Sequence, residues 1–285
     1  MKIKLATRQS ELALFQANYV MNKIQTHHSD VEVELVPMSS DGDQTDKPLY
    51  EIGGKGLFVT KLESALENGE ADIAVHSLKD VPAKIDMKYS IAAVFKREDP
   101  SDILLSINGS SLVDFPANSS IGTSSPRRKA QILRKRADLN IIPVRGNIAT
   151  RIRKLHEGHF DGLIVAKAAL NRLNIESTNA YEFSMEEMLP AASQGFIGVE
   201  CLKSNKKIIS IMNSINNSSE MALANAEREF VASLNGSCLS PIAIICKEEA
   251  HWINISAKVL SQNGQKEIYS CLLYTSDAAD DTPCV

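Results

Sequence analysis

The strongest constraint on this chain is the rhythm of its apolar segments. Residues 3–6 and 31–36 read as strands on either side of a helix that Ser10 caps and that runs to about His27. Gly53-Gly54-Lys55-Gly56 opens a second helix over 57–67, and short apolar runs follow at 72–75 and 89–95. The rhythm restarts after a charged crossing at 97–102. Strands fit 103–106, 120–122, 139–144 and 162–165, alternating with helices at 126–137, 148–157 and 167–173. Such alternation buries both faces of a sheet by laying helices against strands that run largely parallel, so two α/β units are predicted.

Residues 190–195 read as a return linker, and 196–200 as a strand able to pair back into the first sheet. From Ser218 the pattern changes. One amphipathic helix over 218–234 stops at Asn235-Gly236, and strands fit 242–246, 252–259 and 266–273, with Asn263-Gly264 as a hairpin turn. This suits a small α+β domain. The expected domains are 1–96 with 196–215, then 97–195, then 216–270. Residues 271–285 read as a translated library adapter, a non-native tail from about Cys271 that is poorly ordered and leaves the third domain truncated. Asp277-Ala278-Ala279-Asp280-Asp281-Thr282-Pro283 has neither strand alternation nor an apolar helical face.

The net charge of −4 argues against a general nucleic-acid or membrane-surface binder. No apolar run reaches the length of a membrane span, and Met1-Lys2-Ile3-Lys4-Leu5 leads straight into a strand, which suits a cytoplasmic protein. Five scattered cysteines with no CxxC spacing make a disulfide framework or a metal site a poor fit. Cys201 and Cys246 fall in strand-like runs and read as core.

Five motifs carry chemistry. Arg8 ends the first strand beside a helix start, where open α/β sheets bind ligands. Gly53-Gly54-Lys55-Gly56-Leu57-Phe58 lets the backbone approach a ligand closely but lacks Walker A spacing. In His76-Ser77-Leu78-Lys79-Asp80-Val81-Pro82, acid and base stand together at a strand end, and His76 reads as ordering the loop. From Arg127 to Lys154 the chain carries ten Lys and Arg residues against Asp138 alone. Arg127 and Arg128 follow a cap-like turn, where cations oppose the helix dipole, so a multiply charged anion is expected on that turn. Nucleic acid is a rival there, but stacking aromatics are missing. Last, Cys238 lies in Asn235-Gly236-Ser237-Cys238-Leu239-Ser240-Pro241, past a helix C-terminus that does nothing to lower a thiol pKa. It fits a stable attachment point better than a reactive nucleophile, and a buried structural thiol is the plainer alternative.

Taken together, TRQSELAL, GGKGLF, HSLKDVP, GTSSPRR, RGNIATR, LPAASQGFIGVEC and the Cys238 loop closely resemble the porphobilinogen deaminase family, from about Lys2 to about residue 260. The resemblance implies two domains of type II periplasmic-binding-protein fold plus a small α+β C-terminal domain. It implies a monomeric cytoplasmic transferase that joins four porphobilinogen molecules into hydroxymethylbilane, with no nucleic acid, membrane or metal partner. The family cofactor is dipyrromethane, held as a thioether, here on Cys238. Asp80 matches the catalytic aspartate, stabilising the cations left when ammonia departs. Lys79, Ser77, Thr123, Ser125, Arg127 and Arg128 match cofactor-binding positions. Arg8, Ser10, Lys55, Phe58, Arg145, Arg151, Arg172 and Gln194 match substrate-binding ones. Leucine at Arg127, Arg128 or Arg145 is then expected to impair chain assembly and leave folding intact. The alternative is a non-catalytic anion-binding protein of periplasmic-binding-protein type, which would need neither Cys238 nor Asp80.

Overall fold

The computed structural model describes residues 1–39, 59–176, 179–249 and 252–275. Lys55, Phe58 and their glycine turn lie outside the described residues, as do Cys284 and residues 276–285.

The first sheet has the order β2-β1-β3-β10-β4, from β1 (Lys2–Arg8), β2 (Glu32–Met38), β3 (Ile73–Ser77), β4 (Tyr89–Val94) and β10 (Ile197–Leu202). Helices α1 (Glu11–His27), α2 (Thr60–Glu67) and α6 (Lys206–Ile215) pack on it. Ile3, Leu5, Ile73, Val75 and Val199 meet Val20 and Ile24 of α1 and Ile208 and Met212 of α6. Ala6, Ala74 and Tyr89 meet Leu62 and Leu66 of α2.

The second sheet has the order β7-β6-β8-β5-β9, from β5 (Asp102–Ser106), β6 (Ser120–Gly122), β7 (Asn140–Ile142), β8 (Gly162–Ala166) and β9 (Ala180–Glu182). Its helices are α3 (Pro126–Lys135), α4 (Ile148–His156) and α5 (Lys167–Arg172).

Each sheet is largely parallel with one reversal. Four of the five strands in each point the same way, but β10 lies antiparallel between β3 and β4, and β5 antiparallel between β8 and β9. The reversal follows from how the chain crosses. It leaves the first sheet after β4 to fill the fourth place of the second with β5, and returns after β9 to fill the fourth place of the first with β10. The crossings themselves are residues 95–101 and 183–196.

The third unit is α7 (Ser218–Ser233) with the antiparallel sheet β11-β12-β13, formed by β11 (Ile242–Glu249), β12 (Trp252–Leu260) and β13 (Glu267–Thr275). Its core joins that of the first unit. Leu78, Val81, Val94 and Phe196 pack with Leu223, Val231, Ile244 and Cys246. The helix α6 and strand β9 have no counterpart in the periodicity reading.

One expectation is corrected at the C-terminus. Cys271 to Thr275 belong to β13, paired in register from Ser256↔Cys271 to Trp252↔Thr275. Cys-Leu-Leu-Tyr-Thr is composed largely of residues that fit a pleated surface, and β12 offers an open edge, so a ladder forms whatever the origin of the sequence. Leu272 and Leu273 stay exposed, so these residues add backbone pairing rather than core. Ending the chain after Ser270 removes that half of the ladder. The melting temperature is expected to fall by about 2–4 °C, for a loss on the order of 1 kcal/mol. An unchanged thermal transition would show that this half-strand adds no stability.

Candidate functional site

Both five-stranded sheets present one edge to a shared cleft. The edge is formed by the carboxyl ends of β1, β3, β6 and β8, and the third unit closes one side. The cleft encloses about 850 Å³, ample for a multi-ring organic anion. Arg8, Ser10, Ser77, Lys79, Asp80, Ser125, Arg127, Arg128, Arg145, Arg151, Gln194 and Cys238 all line it. Two predicted site residues do not. Thr123 is buried, and its Oγ1 accepts from the Ser125 amide. Arg172 is buried behind the return crossing and donates from Nη2 to the Gly195 carbonyl at 2.6 Å.

Local sequence explains the placement. Ser10 caps α1 by accepting from the Ala13 amide. Ser77 and buried Gln16 exchange side-chain hydrogen bonds at 2.9 and 3.2 Å, tying β3 to α1. Asp80 stands exposed on the short 3-10 turn Leu78–Asp80, whose flanks Leu78 and Val81 are buried in the shared core. His76 does not order the loop as predicted. It lies within β3, with Nε2 3.1 Å from Glu200 Oε2 of β10, both buried.

On the opposite wall, Ser125 caps α3 and Pro126 starts it, while Asn147 caps α4 by accepting from Thr150 N at 2.8 Å. Arg151 Nε donates to the Gly146 carbonyl at 2.8 Å. Burial first, then the charge of Arg128, lowers the Arg151 pKa to about 10. Lys79 donates from Nζ to Gln194 Oε1 at 3.1 Å. Burial, followed by the charge of Arg128, brings its pKa down to about 8, with Asp80 and Asp102 pulling the other way.

The anion expected on the Arg127–Arg128 turn is in part the protein's own. Asp102, wholly buried at the start of β5, has Oδ2 2.8 Å from Arg127 Nη1 and Oδ1 2.7 Å from Arg128 Nη2. Burial alone would raise its carboxyl, but the two guanidinium charges outweigh it and hold the group well below the usual carboxylate range. Backbone carbonyls take further donors: Leu189 O from Arg127 and Ile164 O from Arg128. Arg127 Nε, Arg128 Nε and Arg145 Nη2 are buried with no hydrogen-bond partner among the described residues. Unspent buried donors on three cleft-lining cations mark a place for an external anion.

Cys238 projects from the loop after α7. Gly236 allows the sharp exit, since a Cβ there would sit 2.6 Å from Ile242 Cδ1. Cys238 is exposed to the cleft, yet partial desolvation of its thiol, helped by the nearby Asp80 charge, pushes the thiol pKa up. Arg228 of α7 fixes this loop against the Asp80 turn. Its guanidinium donates to the carbonyls of Val81, Pro82 and Ala83 at 3.2, 2.7 and 3.3 Å. Cys201 and Cys246 are buried in the sheets.

Asp102 and Arg228 are absent from the sequence reading. Asp102 falls in the charged crossing at 97–102, and Arg228 in a helix read only as amphipathic. The only signal for either was a charged residue at a position that proves to be buried.

The geometry argues for unequal tolerance of arginine replacement. Arg128→Leu would strand Asp102 as a less compensated buried charge and is expected to destabilise the fold by about 3–5 kcal/mol. Arg145→Leu, with no such partner among the described residues, is expected to leave stability within about 1 kcal/mol. Denaturant titration of both variants checks this; equal stability of the two would refute it.

Residues 3–210 match the family model "Porphobilinogen deaminase, dipyromethane cofactor binding domain", and residues 221–281 match "Porphobilinogen deaminase, C-terminal domain". The chain is similar to the porphobilinogen deaminase of Lawsonia intracellularis, at 45% identity over 252 residues, 87% of this chain and 82% of the relative. It is similar to that of Campylobacter hominis at 44% over 270 residues, 94% and 87% of the two chains. Among solved structures it is similar to the periplasmic VFT2 domain of Bordetella pertussis BvgS, with 14% identity, a TM-score of 0.47, and coverage of 82% and 92%.

Proposed function

The chain belongs to the porphobilinogen deaminase family, and we propose that its chemistry runs in the cleft between the three units, with Cys238 as the attachment point and Asp80 as the catalytic carboxylate. The enzyme condenses porphobilinogen head to tail into hydroxymethylbilane with release of ammonia, and its cofactor is dipyrromethane. When bound, the dipyrromethane supplies the pyrrole end onto which substrate is added. The observation that carries the residue assignment is the pairing of Cys238 and Asp80 across one cavity. Both line the same cleft as Arg127, Arg128 and Arg145, whose buried guanidinium donors lack a partner among the described residues.

The residues suit that cofactor and substrate. Cys238 is exposed on the cleft, where its sulfur can be alkylated to a thioether, a bond with no titratable proton that serves as a durable anchor. Arg127, Arg128 and Arg145 offer buried donors for carboxylates, and every pyrrole ring brings an acetate and a propionate. Lys79, Arg8 and Arg151 add positive charge, while Ser77 and Ser125 are committed to Gln16 and to capping α3 and thereby stiffen the cleft. As the aminomethyl carbon–nitrogen bond of porphobilinogen breaks, positive charge grows on the carbon left behind. Asp80, already fixed by the packing of Leu78 and Val81, stabilises that charge without reorganising.

We place the protein in the cytoplasm as a monomer acting on a small molecule. The buried thiols Cys201 and Cys246 suit a reducing compartment. The arginines of the basic stretch that turn inward to Asp102 and the cleft speak against a nucleic-acid surface. Among the described residues no helix is long and apolar enough to cross a membrane.

Cys238→Ser is expected to give folded protein that lacks the covalent dipyrromethane and is inactive. Intact mass decides, and an adduct persisting in the variant would move the attachment elsewhere. Asp80→Asn keeps the shape and removes the charge, so kcat is expected to fall by roughly a hundredfold or more. Near-normal single-turnover rates in that variant would assign the role to another group.

A further inference from the structure

The mechanism above gives Asp102 no task, yet several cleft side chains converge on it. Besides Arg127 and Arg128, its Oδ1 accepts from Gln194 Nε2 at 2.9 Å. Gln194 in turn accepts from Lys79 Nζ through Oε1 at 3.1 Å and donates to the Pro100 carbonyl at 2.7 Å. One buried carboxylate therefore stands behind three cations that line the cavity. A guanidinium is a rigid planar fork, so holding its terminal nitrogens fixes where its remaining edge points. Arg128 is held through both terminal nitrogens and Arg127 through Nη1, and in both the buried Nε has no partner among the described residues.

The origin of these residues matters as well. Lys79 follows β3 of the first sheet, while Arg127 and Arg128 open α3 of the second. Asp102 directly follows one chain crossing, and Gln194 lies in the other. The network thus spans the seam between the two sheets through residues of the seam itself. We propose that Asp102 is a positioning residue for chain assembly, which acts through Arg127, Arg128 and Gln194-held Lys79 to set the orientation and net charge of the wall that receives substrate carboxylates. This inference rests on the reading of the cleft as the assembly site.

A carboxylate with a merely structural role would change stability alone when neutralised. A positioning role has two further signatures. First, KM for the anionic substrate should rise, because the guanidinium edges are no longer held. Second, Lys79 should lose its proton at lower pH. It faces Asp80 from its own turn, Asp102 from β5, and Arg127 and Arg128 from α3, so it would keep one carboxylate against two guanidiniums. A cation is then lost from the wall earlier as pH rises.

The test compares wild type, Asp102→Asn and Gln194→Leu as purified full-length enzymes, by intact mass, thermal melting, and kcat and KM across pH. In Asp102→Asn, KM for porphobilinogen is expected to rise about tenfold, with kcat changed less than about threefold. The alkaline limb of kcat/KM is expected to move down by about half a pH unit. Gln194→Leu leaves the arginine–Asp102 pairs in place, and should move the alkaline limb the same way with a smaller rise in KM. An Asp102→Asn protein that melts like wild type but lacks the adduct would also support the proposal, since Cys238 is untouched. Should Asp102→Asn fail to fold, Gln194→Leu decides alone. Wild-type KM and pH profile in the folded variants, even with lowered melting temperatures, would overturn the proposal. Absence of a dipyrromethane adduct from wild type would instead overturn the reading of the cleft.

Discussion

In each five-stranded sheet the fourth strand runs against its parallel neighbours, because it is supplied by chain that has just crossed from the other sheet. The rest of the site depends on this. A parallel strand ends at the cleft edge, whereas an antiparallel one begins there. Asp102 therefore pairs with Ala166 at the end of β8, and Ile197 with Ser77 at the end of β3. Had β5 and β10 run parallel to their neighbours, the residues just before them would lie at the far edge. The arginine wall would then have no internal counter-charge, and Lys79 no Gln194.

A second buried carboxylate ties the third unit to the same seam. Glu227 of α7 is wholly buried and pairs with Arg97, at 2.6 and 3.2 Å, across the first crossing. It also accepts from the Ser193 amide of the return crossing at 2.6 Å and from the Cys246 amide of β11 at 2.7 Å. Its neighbour Arg228 reaches the segment after Asp80. Consecutive residues of one helix thus tie α7, which leads into the Cys238 loop, to both the crossings and the segment after Asp80. Gly195 allows the return crossing to pass tightly, since a Cβ there would lie 2.2 Å from the Glu98 carbonyl oxygen. Buried ion pairs add little net stability, but they penalise every arrangement that leaves one partner alone. That suits a cleft whose two principal groups come from different units.

The cleft concentrates cations that oppose one another. Burial and mutual repulsion bring Lys79 down to about 8 and Arg151 to about 10. Concentrated positive charge in a confined space is relieved when carboxylates enter, so part of the strain of holding these cations becomes selectivity for a multiply charged anion.

By itself the sequence determined most elements and the chemistry at their ends. Apolar periodicity, the caps at Ser10, Ser125 and Asn147, and the turn at Asn235-Gly236 are local signals, and local hydrogen bonds answer them. The family motifs likewise carried the residues of the cleft, because each motif sits at a strand end or a helix start. Tertiary structure decided what depends on partners distant in the chain. Arg128 meets its counter-charge 26 residues away, and Arg97 meets Glu227 130 residues away. No local pattern distinguishes a guanidinium that faces substrate from one that faces a buried carboxylate. The same limit explains Thr123 and Arg172, which packing turns away from the cleft, and Cys271–Thr275, which an open strand edge draws into a sheet. Which side of a residue meets water, which meets ligand and which meets protein is fixed only when non-local strands pair, since pairing determines the low-dielectric surroundings in which each charge must find a partner.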